Sequence, residues 1–149
     1  MKNAYDELRA IQHERFEEWT AGKMFFAFSM EQFREGMESI GLDPDKDQNK
    51  IYRIPGGGYI RKSDAEAFHK LMQKNADELQ EAIAADQTGE GFIYQMFKSE
   101  MYNHEYGYTE DLSDTLDALG MEYEDIEKNP ALSHGLAKAA REVIENTEC

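Results

Sequence analysis

The chain has 149 residues, 40% of them hydrophobic and 11% aromatic, which fits one globular domain over residues 1–149 and argues against a fully disordered chain. Asp and Glu total 31 against 16 Lys and Arg, a net charge of −15 that repels nucleic acid and anionic membranes and favours basic partners. The single cysteine, Cys149, has no internal disulfide partner, acids precede any apolar run at the N-terminus, and the apolar run 24–28 is far short of the ~20 residues a bilayer takes, so the expectation is a cytoplasmic protein of a reducing compartment.

In chain order, residues 3–20 predict an amphipathic helix with Tyr5, Leu8, Phe16 and Trp19 along one stripe and Ile11 beside it, ended at Gly22. Met24 to Phe28 is a short apolar run and predicts a buried strand. Ser29 with Gln32 forms a capping-box pattern, so a helix is expected from Met30, carrying Phe33, Met37 and Ile40 inward and closed by Gly41. After a polar loop, runs at 50–54 and 58–61 flank a Pro-Gly-Gly-Gly tract and predict a hairpin. From there the pattern is helical. Ser63 with Glu66 predicts a capped helix over 64–85, and Asp86 to Gly89 break it. A second helix over 90–105 has the densest apolar content and should be the most buried. Thr109 is expected to cap a short helix ending at Leu119, residues 122–128 form a further turn, and Asn129-Pro130 opens a last helix over 131–145. The fold class expected is α+β and helix-dominated: a three-stranded sheet packed on five or six helices.

Two stretches have a strong charge bias. Between Glu105 and Lys128 lie nine acids and one base, with Glu110, Asp111, Asp114, Asp117, Glu124 and Asp125 as candidate partner-binding residues. Asp114 and Asp117 share a helical face, and a row of carboxylates along such an edge imitates a phosphate backbone and competes for a cationic channel. The plain alternative is a solvated surface. Conversely, 50–62 holds Lys50, Arg53, Arg61 and Lys62 and no acid. A glycine-rich turn with flanking arginines can cradle an anion, which makes Arg53, Gly57, Gly58, Arg61 and Lys62 a candidate nucleotide site, although the Gly-Lys-Ser/Thr ending of a phosphate-binding loop is absent. The alternative there is a tight turn whose basic strands pair with acids.

Glu100 and His104 stand four apart on a helix, an arrangement open to metal ligation or general-base chemistry. Only one histidine is present, and a satisfied boundary histidine is the simpler reading. No cofactor, no metal site and no catalytic residue is expected.

Phe25-Phe26-Ala27-Phe28-Ser29, Gly56-Gly57-Gly58-Tyr59, the run Leu79 to Asp86, Gly89-Glu90-Gly91-Phe92-Ile93-Tyr94, Asn103-His104-Glu105-Tyr106 and the run Asp114 to Gly120 together resemble a family of small proteins of phages and mobile elements of gut bacteria, to which no chemistry is assigned. The resemblance covers roughly residues 24–145. It implies a bacterial host cell and a setting in which small acidic proteins counter host defence. In size and acidity the chain is similar to anti-CRISPR proteins. The expected function is a non-enzymatic inhibitor that binds a basic defence protein, foremost a CRISPR effector nuclease, and blocks its nucleic-acid channel. The oligomeric state is left open.

Overall fold

The computed structural model describes residues 3–148, so Cys149 lies outside the described residues. Among these, eight α-helices and three strands follow in the order α1 (Ala4–Thr20), β1 (Met24–Phe25), α2 (Met30–Ser39), β2 (Ile51–Arg53), β3 (Tyr59–Arg61), α3 (Ala65–Ala85), α4 (Phe92–Asn103), α5 (Tyr106–Thr109), α6 (Ser113–Leu119), α7 (Tyr123–Glu127) and α8 (Pro130–Glu148). This is the helix-dominated α+β class that the residue pattern predicts. The chain clusters into two compact units, one of residues 1–10 and 78–149 and one of residues 11–77.

The 11–77 unit is built around the sheet. Its order is β1-β3-β2, both pairings antiparallel, with Met24 opposite Ile60, Phe25 opposite Tyr59 and Arg53 opposite Tyr59 on the other side. Residues paired in this way point to the same face. One face therefore presents Phe25, Ile51 and Tyr59, which pack with Met37, Ile40 and Phe33 of α2. The other presents Met24, Tyr52 and Ile60, which pack with Phe16 and Trp19 of α1 and Phe68 and Met72 of α3. Aromatic contacts fix the α2 layer: Phe25 stacks on Tyr59 at 5.3 Å between centroids, and Phe33 meets Tyr59 edge-on at 5.2 Å.

The expected buried strand 24–28 is only partly formed. Before Tyr59 the chain turns at Gly56 and Gly57, both at positive φ, with the Gly57 N–H donating to the Ile54 carbonyl, so β3 does not continue alongside residues 26–28. Residues 26–28 leave the sheet, and Phe26 and Phe28 are exposed. The Ser29 cap forms, its hydroxyl accepting from the Gln32 N–H at 3.1 Å, but the Gln32 side chain reaches back one residue further than a capping box and accepts from Phe28 N–H at 2.7 Å. Ser63 caps nothing: Lys62–Asp64 form a 3-10 turn, with Asp64 held by Arg61, and α3 begins at Ala65. The loop 43–47 is knitted by its own aspartates, and the Asp43 N–H and Lys50 ammonium hold the Asp47 carboxyl below its usual range.

In the unit of residues 1–10 and 78–149, α4 packs most extensively on α8. Ile93, Met96, Phe97 and Met101 have no exposed surface, matching the expectation that this helix is the most buried, while Tyr102 on its outer side is exposed. Tyr5, Leu79, Ile83, Leu116, Leu119, Ile126 and Val143 complete one core. Asn129 caps α8 as its position before Pro130 predicts, accepting from Ala131 N–H at 3.0 Å. Thr109 does not cap a helix through Leu119. Tyr106–Thr109 is itself a helical turn, and α6 starts at Ser113 after turns in which Thr109 accepts from Asp111 N–H and Asp111 from Ser113 N–H.

The start of α4 has no cap of its own, since Gly91 occupies that position. Asp86 supplies it from five residues upstream. Its carboxylate accepts from the N–H groups of Gly89, Gly91 and Ile93 at 3.0–3.1 Å and from the Thr88 hydroxyl at 3.3 Å. Burial works to raise its pKa, but these donors outweigh it and hold the carboxyl below the usual range. Asp86→Ala is expected to destabilise the protein by about 2–3 kcal/mol, because the N–H donors lose their partner. The pH dependence follows the depressed pKa: this contribution is present above ~3.9 and disappears as pH falls through the lower folded value. Urea melts at pH 7 and pH 3 check it, the substitution having its larger effect at pH 7.

Candidate functional site: an acidic helical face beside an apolar groove

Helices α6 and α7 are short, and a left-handed residue breaks the chain ahead of each. Glu110 (φ 53°) ends α5, and Gly120 (φ 65°) ends α6. Their apolar residues, Leu116, Leu119 and Ile126, turn into the core, which leaves the carboxylates outside. Glu110, Asp111, Asp114, Asp117, Glu122, Glu124, Asp125 and Glu127 are all exposed. Among the described residues none of the eight pairs with a lysine or arginine. The lysines of α4 and α8 are engaged elsewhere: Lys98 meets Glu142 at 3.7 Å, and Lys138 meets Glu90 at 3.5 Å and lies over the Tyr94 ring. Tyr94 also donates its hydroxyl proton to Glu142.

Three of the carboxylates have local structural work. Asp125 accepts from Glu122 N–H at 3.0 Å, and the Glu122 side chain accepts from Asp125 N–H, in a capping box at the start of α7. The Ser113 backbone and hydroxyl hold the Asp111 carboxyl below its usual range. Glu110, Asp114, Asp117 and Glu124 have no such task. The Glu110 charge adds to burial in pushing the Tyr106 hydroxyl up.

Beside these helices runs a groove of about 230 Å³, its floor made by Leu112, Ile126, Leu136 and Ala140 and its rim by the half-exposed Tyr123 and by Glu127. The charge count of 105–128 carried no hint of it, because the groove is created by α8 lying against α7. The apolar stripe Leu132, Leu136 and Ala140 was the only signal, and it reads as core. An apolar slot with one carboxylate, Glu127, in its lining is suited to an apolar side chain with a cation beside it.

Glu105 and Glu110 both adopt left-handed backbone, a conformation that costs a non-glycine residue about 1–2 kcal/mol. Glu110→Gly is therefore expected to raise stability by about 0.5–1 kcal/mol while removing one charge from the face. Thermal melts and partner affinity, measured on the same variant, should move in opposite directions.

The basic hairpin is arranged differently. Arg53 and Lys62 are exposed. Arg61, by contrast, donates to Asp64 at 2.9 Å and to the Ile40 carbonyl at 3.2 Å. The Gly57 N–H closes the turn onto Ile54, and Gly58 is buried, close to Met24, Ile54 and Phe26. Register places Arg53 and Arg61 on one face, and the Gly57 N–H is taken by the Ile54 carbonyl.

Glu100 is nearly buried. Its carboxylate accepts from Asn103 at 2.9 Å and acts on Tyr5, whose hydroxyl is raised first by burial and further by Glu100, against Arg9 at 3.0 Å. The His104 N–H closes α4 onto the Glu100 carbonyl. Among the described residues no group of three or more His, Cys, Asp or Glu is placed to hold a metal ion, and no helix is long and apolar enough to cross a membrane.

Fold and site together define a helix-dominated α+β protein with an acidic face and an adjoining apolar groove. The chain belongs to the DUF7659 family, a family of unknown function whose profile matches residues 4–142. No curated protein and no solved structure matches it.

Proposed function

We propose that this protein is a non-enzymatic binding protein whose α6–α7 face takes a cationic protein surface. The observation that carries the reading is the set of eight exposed carboxylates, unpaired among the described residues, beside an apolar groove. Their field steers a basic partner and sets orientation, and the groove adds the desolvated contact that gives residence time. The cationic surface that the mobile-element resemblance points to is the nucleic-acid channel of a CRISPR effector nuclease in a bacterial cytoplasm, where the carboxylates would stand in for phosphates. The protein then acts as an inhibitor by occupancy rather than by chemistry.

The test is a paired capture from a bacterial lysate, using tagged wild type and the Asp114→Lys/Asp117→Lys double variant, eluted with rising salt. A basic nuclease held by the wild type, released by salt, competed by its own nucleic acid and not held by the variant is the expected result. Equal capture by both forms contradicts the proposal. So does a thermal shift produced by nucleotides alone, which moves the site to the Arg53–Lys62 hairpin.

A further inference from the structure

Among the described residues the sheet has an outer edge that no further strand covers. β1 lies outermost and is only two residues long. The Ile54–Gly58 hydrogen bond fixes the alternation along β3, so Ile60 faces β2, Tyr59 faces Phe25, and the N–H and C=O groups of Met24 and the N–H of Phe26 point away from the sheet. Among the described residues no other backbone group meets them. Natural edges are blunted by brevity, Lys, Pro or a bulge, and β1 has its brevity and the neighbouring Lys23. Here Met24 to Met30 carries no charge and no proline.

The side chains around that edge are uncovered as well. Phe26 is 55% exposed, Met30 72% and Phe28 91%. Next to them lies a shallow groove of about 380 Å³ lined by Ala27, Phe28, Met30, Phe33 and Tyr59. The exposed aromatics thus continue directly from the Phe25–Phe33–Tyr59 cluster inside.

We infer that the occupant of this edge is a second copy of the chain, added antiparallel through β1 about a two-fold axis. Two observations select it. Met24 to Phe28 is the longest apolar run in the sequence, so the segment best suited to extend an uncharged β edge is that edge itself. Charge points the same way. From Trp19 to Met30 there is no acid and one cation, Lys23, in a chain of net charge −15, so this is where two copies approach with least repulsion. Setting Met24 of one copy opposite Phe26 of the other, with residue 26 drawn into the strand, mates the outward groups of the two edges. It also brings the two Phe26 rings diagonally across the joint, within reach of aromatic side chains.

The inference is independent of the acidic face, and salt separates the two. Salt screens the repulsion between like copies and strengthens self-association, whereas it weakens capture of a cationic partner. The experiment is sedimentation equilibrium of the full chain from micromolar to millimolar concentration at low and high salt. The expected result is a mass rising from 17.2 kDa towards twice that value, more readily at high salt. Phe28→Asp, at a side chain almost free of intramolecular packing, should hold the protein monomeric with an unchanged thermal melt, and Phe26→Asp should do the same. A 17.2 kDa species at every concentration and salt overturns the inference. A dimer that persists in both variants overturns it too, since the contact then lies elsewhere.

Discussion

Gly89→Ala is expected to destabilise the protein by about 3–5 kcal/mol, a large part of the roughly 5–15 kcal/mol that holds a domain together. Gly89 has φ 84°, and a Cβ there would stand 2.1 Å from the Ala131 carbonyl oxygen at the start of α8. Gly135 faces it one turn on, where an added Cβ would meet the Gly89 carbonyl and Ile93 Cγ2, each at 2.6 Å. The loop after Asp86 thus crosses α8 at a point where only glycine fits on both sides, and that crossing lets α4 lie along α8. Gly120→Ala is the control. Its φ is 65°, but nothing lies within 4 Å of the added atom, so only the conformational cost of about 1–2 kcal/mol applies. Chemical denaturation of the two variants separates strain from collision. Equal losses would mean that the loop and α8 are not in close contact.

The second large effect concerns binding. Reversing Asp114, Asp117 and Glu124 to lysine changes the face by six charges without touching its core, because all three are exposed. Each exposed pair contributes up to about 1 kcal/mol, and reversal turns attraction into repulsion, so the triple variant is expected to lose about 3 kcal/mol at low salt, roughly a hundredfold in Kd. The loss should shrink as salt rises, while the melting temperature stays within a few degrees. A triple variant that binds as tightly as the wild type would remove the acidic face from the account.

Local rules made most of the fold legible. Asn129-Pro130 and Ser29 announced helix starts, and the runs flanking the Pro-Gly-Gly-Gly tract announced the hairpin. What failed depended on partners distant in sequence. The run 24–28 reads as buried by composition, yet its burial required β3 to begin before Tyr59, and the turn at Gly56 and Gly57 prevents it. Thr109 and Ser63 have the right residue type for caps, but a left-handed Glu110 and a 3-10 turn at 62–64 moved the helix starts. For the site, the excess of carboxylates over 105–127 was readable by counting. That none of the eight meets a cation depends on where Lys98 and Lys138 point, and the groove depends on how α8 meets α7; neither is a property of one segment.

The most direct test of the central claim is an amide-resolved NMR titration of the isotope-labelled protein with a short cationic amphipathic peptide, leucine on one helical face and lysine on the others, at low salt. The account predicts saturable shifts concentrated at Leu112, Tyr123, Ile126 and Ala137 and along 111–127, abolished in the charge-reversed triple variant. Shifts spread evenly over the acidic surface, or equally strong in the variant, would contradict it.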